Sequence, residues 1–322
     1  MKLTPPKFKN LSDMAAIDVG RLKENQARKI LENIRWKDGI TCPHCESKDV
    51  TKLKSDKKKK TRDGVIQCNH CRKQFTVTTG TVMHGSHITL RQWVQAFYSV
   101  CTHKKGVSAL QLQRNLGLGS YRSAWYLSHR IRLAMREFVV PGLLKGTVEV
   151  DETYIGGRPR KRQALTKDKE TRKSKRGRGT DKAPVMVLVE RNGRSVSRPI
   201  KNVTGETLKS AIRETVDKKS VIMTDEWKSY RGIGKDFEGG HKVVNHGEGI
   251  YAVGIVNTNT AESYFAILKR GVHGTFHHVS KKHLFRYCDE FSFRWNHRRV
   301  NDGAMVVRAI EGMDGKRMRY KG

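Results

Sequence analysis

Two C-x-x-C pairs near the start of the chain constrain its fold more than any other feature. Their members are Cys42, Cys45, Cys68 and Cys71, and 22 residues separate the pairs. Two such pairs supply the four soft ligands that a structural zinc ion takes in a tetrahedral arrangement. Because so short a segment cannot build a stable core of its own, bound metal would hold it together. The sequence therefore predicts a zinc ribbon over residues 37–80 with one structural zinc ion.

The balance of charge favours a polyanionic partner. The 322 residues include 65 Lys and Arg against 31 Asp and Glu, which gives a formal net charge of +34. Such an excess favours nucleic acid, because each neutralised phosphate releases condensed counterions. Two basic runs contribute, at 54–62 and in a predicted loop at 158–182, where Lys161, Arg162 and Arg176 are predicted to contact DNA phosphate. The alternative for each run is a solvated surface tract.

The distribution of apolar residues predicts no membrane partner. No apolar stretch in the sequence is long enough to cross a bilayer, and the opening MKLTPPKFKN lacks the apolar run of a secretion signal. We therefore expect a cytoplasmic, nucleoid-associated protein. Thiols are kept reduced in that compartment, which favours metal binding over disulfides for the paired cysteines.

Hydrophobic periodicity divides the rest of the chain into helical and mixed regions. Helical spacing predicts a helical segment over 1–36 and a helical region over 81–145. From residue 146 to residue 300, strand patterns alternate with helical patterns, as is typical of an α/β domain. Residues 301–322 are predicted to form a basic tail. The predicted fold class is multidomain α+β, with the zinc ribbon and the helical regions preceding the α/β domain.

Two helices in the second helical region are predicted to form a helix-turn-helix for DNA binding. Ser108 is a suitable N-cap for the first helix, and Gly117 would end it in a tight turn. The second helix is predicted to begin near Ser120 and to enter the major groove. The basic residues of the second helix that we predict to face outward are Arg122, His129, Arg130 and Arg132, with Arg122 and Arg130 as DNA contacts. The alternative is a helical hairpin packed on the core.

Three acidic residues lie where predicted strands and a helix would bring carboxylates together. Asp151 lies on a strand in VEVDETY, Asp225 ends a strand in VIMTDEW, and Glu262 lies near the start of a helix. Phosphoryl transfer on DNA can be catalysed by two metal ions that clamp the attacking and leaving oxygens. Mg²⁺ takes carboxylate oxygens as ligands, so two strand aspartates and a helical glutamate would build such a site. Lys269 lies two helical turns after Glu262, on roughly the same face.

These segments resemble the DDE transposases of bacterial insertion sequences, in the ISXO-type branch with an N-terminal zinc ribbon and a ribonuclease-H-like catalytic domain. The resemblance rests on CPHC, QCNHC, VEVDETYIGG, GRGT, VIMTDEW, TNTAESYFAILKRG and HHVSKKHLFRYCDEFSFRWNHR, which span residues 42–298. It implies that Asp151 and Asp225 bind two catalytic Mg²⁺ or Mn²⁺ ions. The third ligand in the family pattern can be read as Asn259 or Glu262. We favour Glu262, because a carboxylate neutralises metal charge.

The resemblance also implies roles for residues around the acidic site. Lys269 would contact DNA phosphate near the scissile bond. Asn257 occupies a position where a histidine is expected in relatives, and Arg294 and Asn296 match the tail motif without an assigned chemistry.

The implied function is that of a transposase. It would bind the terminal inverted repeats of an insertion sequence and the target DNA, act as a homo-oligomer on double-stranded DNA, and catalyse metal-dependent strand cleavage and strand transfer. One alternative is a non-catalytic, zinc-dependent DNA-binding regulator derived from a transposase, and another is an RNA-binding zinc protein. The three carboxylates argue against both, because neither protein would need them.

Overall fold

The structure is a computed structural model that describes residues 10–55, 62–137, 143–156, 180–244 and 257–319. The chain divides into two compact units. The first comprises Met1–Glu137 together with His297–Gly322, and the second comprises Phe138–Asn296. Among the described residues, no helix combines the length and the apolar character needed to span a bilayer.

Nine α-helices and eight strands are described in these ranges. The helices are α1 (Ala16–Gly20), α2 (Glu24–Arg35), α3 (Leu90–Thr102), α4 (Ala109–Leu116), α5 (Tyr121–Met135), α6 (Gly205–Thr215), α7 (Asn259–Gly271), α8 (Leu284–Asn296) and α9 (Asp302–Glu311). The strands are β1 (Val50–Lys52), β2 (Ile66–Cys68), β3 (Gln74–Phe75), β4 (Thr147–Ile155), β5 (Ala183–Glu190), β6 (Ser195–Pro199), β7 (Val221–Asp225) and β8 (His241–Val244).

Helix α3 lies at the centre of the first unit. Its Trp93 and Phe97 are fully buried, and the helix packs against α2, α5 and α9. A capping box fixes its start, because the Thr89 side chain accepts a hydrogen bond from the Gln92 amide and the Gln92 side chain accepts one from the Thr89 amide. Helix α9 falls within the segment predicted as a basic tail. That prediction is wrong for 302–311, where an apolar face packs into this core.

The two predicted helices of the helix-turn-helix are present. The Ser108 hydroxyl accepts a hydrogen bond from the Gln111 amide at the start of α4. Gly117 ends α4 in the left-handed region at φ 62°, a conformation that glycine adopts without steric cost. The Ser120 hydroxyl caps α5 by accepting from the Ser123 amide. Each of these helix ends is set by the residue directly before or after the helix, which is why the sequence alone predicts it.

The prediction that the basic residues of α5 face outward is wrong beyond its first turn. Arg130 is 5% exposed, and its guanidinium lies over the rings of Trp93 and Tyr126 and donates to the His84 carbonyl at 2.6 Å. The other buried members of the predicted set are His129 and Arg132. The physical reason is tertiary packing, because helices α3, α4 and α9 all contact α5 and bury these side chains. Only its N-terminal turn, which includes Arg122, is exposed.

The second unit is built on a five-stranded mixed sheet in the order β6-β5-β4-β7-β8. Strand β4 pairs antiparallel with β5 and parallel with β7, while β6 is antiparallel to β5 and β8 is parallel to β7. Asn192 forms the β5–β6 turn with φ 62°, as the Asn-Gly hairpin signal predicts. Apolar side chains of α6 pack on one face of the sheet, and those of α7 and α8 pack on the other.

Strand β4 presents different side chains to these two faces. Val148 and Val150 belong to the core beneath α6, whereas Ile155 belongs to the core beneath α7 and α8. Successive strand residues alternate between faces, so Glu149 and Asp151 lie on the α7 side. The central strand therefore carries two acidic residues toward the helix that carries Glu262.

Candidate catalytic and zinc sites

The four paired cysteines meet in a single cluster. β1, β2 and β3 form a three-stranded antiparallel sheet that brings the two pairs together. All four sulfur ligand atoms lie within 4.8 Å of one another. Each pair is closed by a tight turn: Glu46 and Arg72, one residue past the second cysteine of each pair, both have φ 60°.

The cluster fits a zinc ion. A tetrahedral Zn²⁺ with Zn–S bonds of about 2.3 Å requires sulfurs about 3.8 Å apart. The Sγ atoms of Cys42 and Cys71 are 3.7 Å apart, and those of Cys45 and Cys68 are 3.6 Å apart. The backbone amide of Cys71 lowers the pKa of the Cys68 thiol, whereas burial and hydrogen bonds with the other cysteines raise the pKa of the Cys45 thiol. These four cysteines form a structural zinc site.

Two of the predicted catalytic carboxylates lie side by side on the sheet. Strands β4 and β7 run parallel, and their last paired residues are Glu149 and Met223. Asp151 and Asp225 each lie two residues further along, at the carboxyl end of the pairing. Both side chains are half-buried. The Asp225 carboxylate accepts a hydrogen bond from the Trp227 amide at 3.2 Å, which anchors the turn that follows β7.

Glu262 joins this pair from the first turn of α7. Burial raises the pKa of Asp151 to about 7. The Glu152 amide opposes this shift, and the negative charges of Glu152, Asp225 and Glu262 add to it. A half-buried aspartate whose pKa is raised by neighbouring carboxylates belongs to a donor set that a divalent cation would stabilise. The arrangement thus fits the hard metal ions predicted from the sequence.

The neighbouring residues of α7 point to solvent. Asn259, the alternative third ligand, opens the helix and is exposed, as is Glu262. Lys269 is exposed as well, with its ammonium 5.9 Å from the centre of the Phe265 ring. Glu262 and Lys269 thus present one acidic and one basic side chain to solvent from the same helix.

A buried carboxylate that the sequence patterns did not single out lies next to this site. Glu149 is fully buried and forms an ion pair with Arg191, with 2.9 Å between Oε1 and Nε. It also accepts hydrogen bonds from residues at the start of α7. The only sequence signal was its position two residues before Asp151 on the same strand face. Its partners are distant in sequence, so no local pattern predicts them.

The two residues of the tail motif have structural contacts. Asn296 fastens the edge strand β6, because its side chain accepts from the Ser195 amide at 2.7 Å and donates to the Ser195 carbonyl at 3.2 Å. Arg294 forms a buried ion pair with Glu290 on the same helix and stacks over the Phe291 ring. Asn257, where a histidine was expected, accepts from Arg191 through its carbonyl and its side chain.

The predicted DNA-contacting residues have different outcomes. Arg122 is exposed at the start of α5, and Arg130 is buried, which removes the basis for a phosphate contact there. Lys161, Arg162 and Arg176 lie outside the described residues.

Two protein-family models match the regions of the chain that contain these sites. Residues 143–296 match the model of the ISXO2-like transposase domain, and residues 22–74 match the transposase zinc-ribbon domain. A protein of Halobacterium salinarum named "Uncharacterized protein in transposable element ISH50" is 30% identical over 281 residues, which cover 85% of this chain and 91% of that protein. The first match contains all three clustered carboxylates, and the second contains all four cysteines.

Proposed function

Because the chain belongs to the family of ISXO2-like transposases, we propose that Asp151, Asp225 and Glu262 bind two divalent metal ions for DNA strand cleavage and strand transfer. The observation that carries this proposal is the convergence of three carboxylates from β4, β7 and α7 where the pairing of β4 with β7 ends. The ions are Mg²⁺ or Mn²⁺, which prefer oxygen ligands.

The mixed sheet with helices on both faces supports a ribonuclease-H-like fold for the second unit. In this fold Asp151 and Asp225 stand on adjacent parallel strands, two residues past the last pair of the ladder that joins those strands. Glu262 comes from α7, which packs over β4 and its other neighbour, β5. Carboxylates on a rigid sheet hold a metal site within narrow limits, which catalysis by positioning requires.

Each protein group has a distinct task in this proposal. Bound metal ions would activate the attacking oxygen and stabilise the leaving oxygen. Asp151 and Asp225 supply ligand oxygens from the sheet, and Glu262 closes the set from the helix. Lys269, two turns further along α7, is placed to contact a phosphate of the DNA strand beside the site.

The first unit and the basic segments would hold the DNA. We propose that the zinc ribbon and the exposed N-terminal turn of α5 contact the ends of the element, with Arg122 at that turn. The basic run at 158–182 would add sequence-independent phosphate contacts. The partners are the terminal inverted repeats and target DNA, with the protein acting as a homo-oligomer in the cytoplasm on nucleoid DNA.

The identity of the third ligand can be tested by comparing two neighbouring substitutions. We expect Glu262→Gln to lower strand cleavage of a linear substrate carrying the element's end by at least about a hundredfold, because a neutral amide is a poor ligand for a hard cation. Asn259→Ala should retain most activity. Glu206→Gln, the same change in the exposed first turn of α6, is the matched control and should cleave as the wild type does. An inactive Asn259→Ala beside an active Glu262→Gln would assign the third position to Asn259.

The role of α5 in DNA binding can be tested with two arginines of the same helix. Arg122→Ala should weaken DNA binding and reduce the slope of log affinity against log salt by about 1, because it removes an exposed phosphate contact. Arg130→Ala should instead lower the free energy of unfolding by about 1–3 kcal/mol, because it removes a buried side chain stacked on Trp93 and Tyr126. Salt titrations of DNA affinity and chemical denaturation measure both effects. An Arg122→Ala protein with wild-type affinity and slope would rule out this contact.

A further inference from the structure

We infer that Glu149 is a positioning residue that holds the start of α7, and therefore Glu262, in register with Asp151. The inference rests on the proposed role of Glu262 and extends it to a residue that contacts neither metal nor DNA. It begins from burial: Glu149 is 0% exposed. A carboxylate withdrawn from water is costly unless charge and hydrogen bonds compensate it. The partners of Glu149 therefore show what the buried charge does.

Three of the four hydrogen bonds described for its side chain come from the first turn of α7. The Thr260 amide donates to Oε2 at 2.7 Å, the Ala261 amide donates to Oε2 at 3.1 Å, and the Thr260 hydroxyl donates to Oε1 at 2.9 Å. The first amides of a helix have no partner within the helix. The N-cap residue Thr258 makes no side-chain capping bond. Glu149 supplies that cap from a strand more than a hundred residues away, and its negative charge also suits the positive end of the helix dipole.

The fourth hydrogen bond connects this cap to the segment that leads into α7. Arg191 donates to Glu149 Oε1 at 2.9 Å through Nε. Through Nη2 it donates to the Asn257 carbonyl at 2.9 Å and to the Asn257 side chain at 3.2 Å. Arg191 directly follows β5. The sheet is therefore hydrogen-bonded to the residue that precedes the N-cap of α7, through Arg191, and to the first residues of the helix, through Glu149.

This geometry couples two metal ligands through one strand. Asp151 lies two residues after Glu149 on the same face of β4, and Glu262 is the residue directly after Ala261, whose amide Glu149 binds. A shift of α7 along or away from the sheet that displaced Glu262 would therefore also have to break the hydrogen bonds to Glu149. Groups that orient metal ligands in this way commonly change metal affinity by about 10–100-fold when they are replaced.

The test compares Glu149→Gln, Glu262→Gln and the double variant in the full, zinc-loaded chain. The quantity measured is the affinity for added Mn²⁺, followed by electron paramagnetic resonance. We expect each single variant to weaken Mn²⁺ binding by about tenfold or more, and the double variant to bind no more weakly than Glu262→Gln alone. Hydrogen exchange of the Thr260 and Ala261 amides should accelerate in Glu149→Gln.

Glu290→Gln is the matched control. Glu290 is also fully buried and paired with an arginine in the same unit, but its partner Arg294 lies on its own helix, α8. We expect this variant to lose stability and to keep wild-type Mn²⁺ affinity. An equal loss of affinity in Glu290→Gln would mean that general destabilisation explains the effect and would overturn the inference.

The remaining outcomes separate this inference from the proposed function. Wild-type Mn²⁺ affinity in Glu149→Gln, or losses that multiply in the double variant, would overturn the positioning role while leaving Glu262 as a ligand. Wild-type affinity in Glu262→Gln would refute the proposed third ligand, and the positioning inference with it. Should Glu149→Gln not fold, Thr260→Val removes only the hydroxyl bond and is expected to weaken Mn²⁺ binding by about two- to fivefold. Unchanged affinity in Thr260→Val would then overturn the inference.

Discussion

Replacing Asp151 with Asn should abolish strand cleavage and strand transfer while leaving DNA binding intact or tighter. The change removes one negative ligand oxygen from a site that must neutralise two divalent ions, and the expected loss in rate is at least about a thousandfold, or about 4 kcal/mol. DNA affinity should not fall, because without metal a carboxylate repels the phosphates. Asp225→Asn should behave in the same way. The measurement is cleavage and joining of a linear substrate carrying the element's end, beside a DNA-binding titration.

Metal removal provides an independent control for this result. Wild-type protein stripped of its catalytic ions, but with its zinc retained, should behave like Asp151→Asn, and Mn²⁺ should restore activity at least as well as Mg²⁺. Glu206→Gln again serves as the matched acidic substitution that should remain active. Cleavage by Asp151→Asn at the wild-type rate would refute the catalytic proposal and favour a DNA-binding regulator.

Replacing Cys68 with Ser should unfold the zinc ribbon and abolish specific DNA binding. The three strands around the site are only two or three residues long, so the ribbon depends on the metal. Structural zinc contributes on the order of 10 kcal/mol of apparent binding free energy to such segments. We expect a loss of about one zinc ion per chain, measured by elemental analysis of the purified protein, with a parallel loss of preference for the element's end.

Cys101→Ser is the control that separates zinc loss from the loss of any buried thiol. Cys101 is fully buried in α3 and lies outside the four-cysteine cluster. This variant should lose some stability but keep its zinc. Wild-type protein purified without zinc would contradict the structural zinc site.

Local sequence signals predicted much of the fold. The caps at Ser108 and Ser120 start the helices that were predicted, because each hydroxyl accepts from an amide three residues ahead. The turn at Asn192 likewise follows from two adjacent residues. Two short elements, β8 and α9, were not predicted. β8 is a four-residue edge strand, and α9 is stabilised by packing on helices from the first half of the chain.

At the candidate site, features with a local sequence pattern could be predicted, and features that depend on distant contacts could not. Four cysteines with fixed spacing, and carboxylates placed by their strands and helix, were identifiable because each carries a local pattern. The inward orientation of Arg130 and the helix cap supplied by Glu149 depend on contacts between distant segments. The bond from Thr260 to Glu149 joins residues 111 positions apart. A polar residue on a helix surface and one in a core have the same appearance in a single sequence.

The chain order of the first unit has a consequence for its synthesis on the ribosome. Helix α9 packs against α3 but is translated only after the whole of Phe138–Asn296. Until α9 has been made, the apolar surface that it covers in the first unit stays exposed to water while the ribosome translates the second unit. Premature termination between residues 297 and 302 would keep the four paired cysteines and the three clustered carboxylates and still deprive the first unit of a core helix.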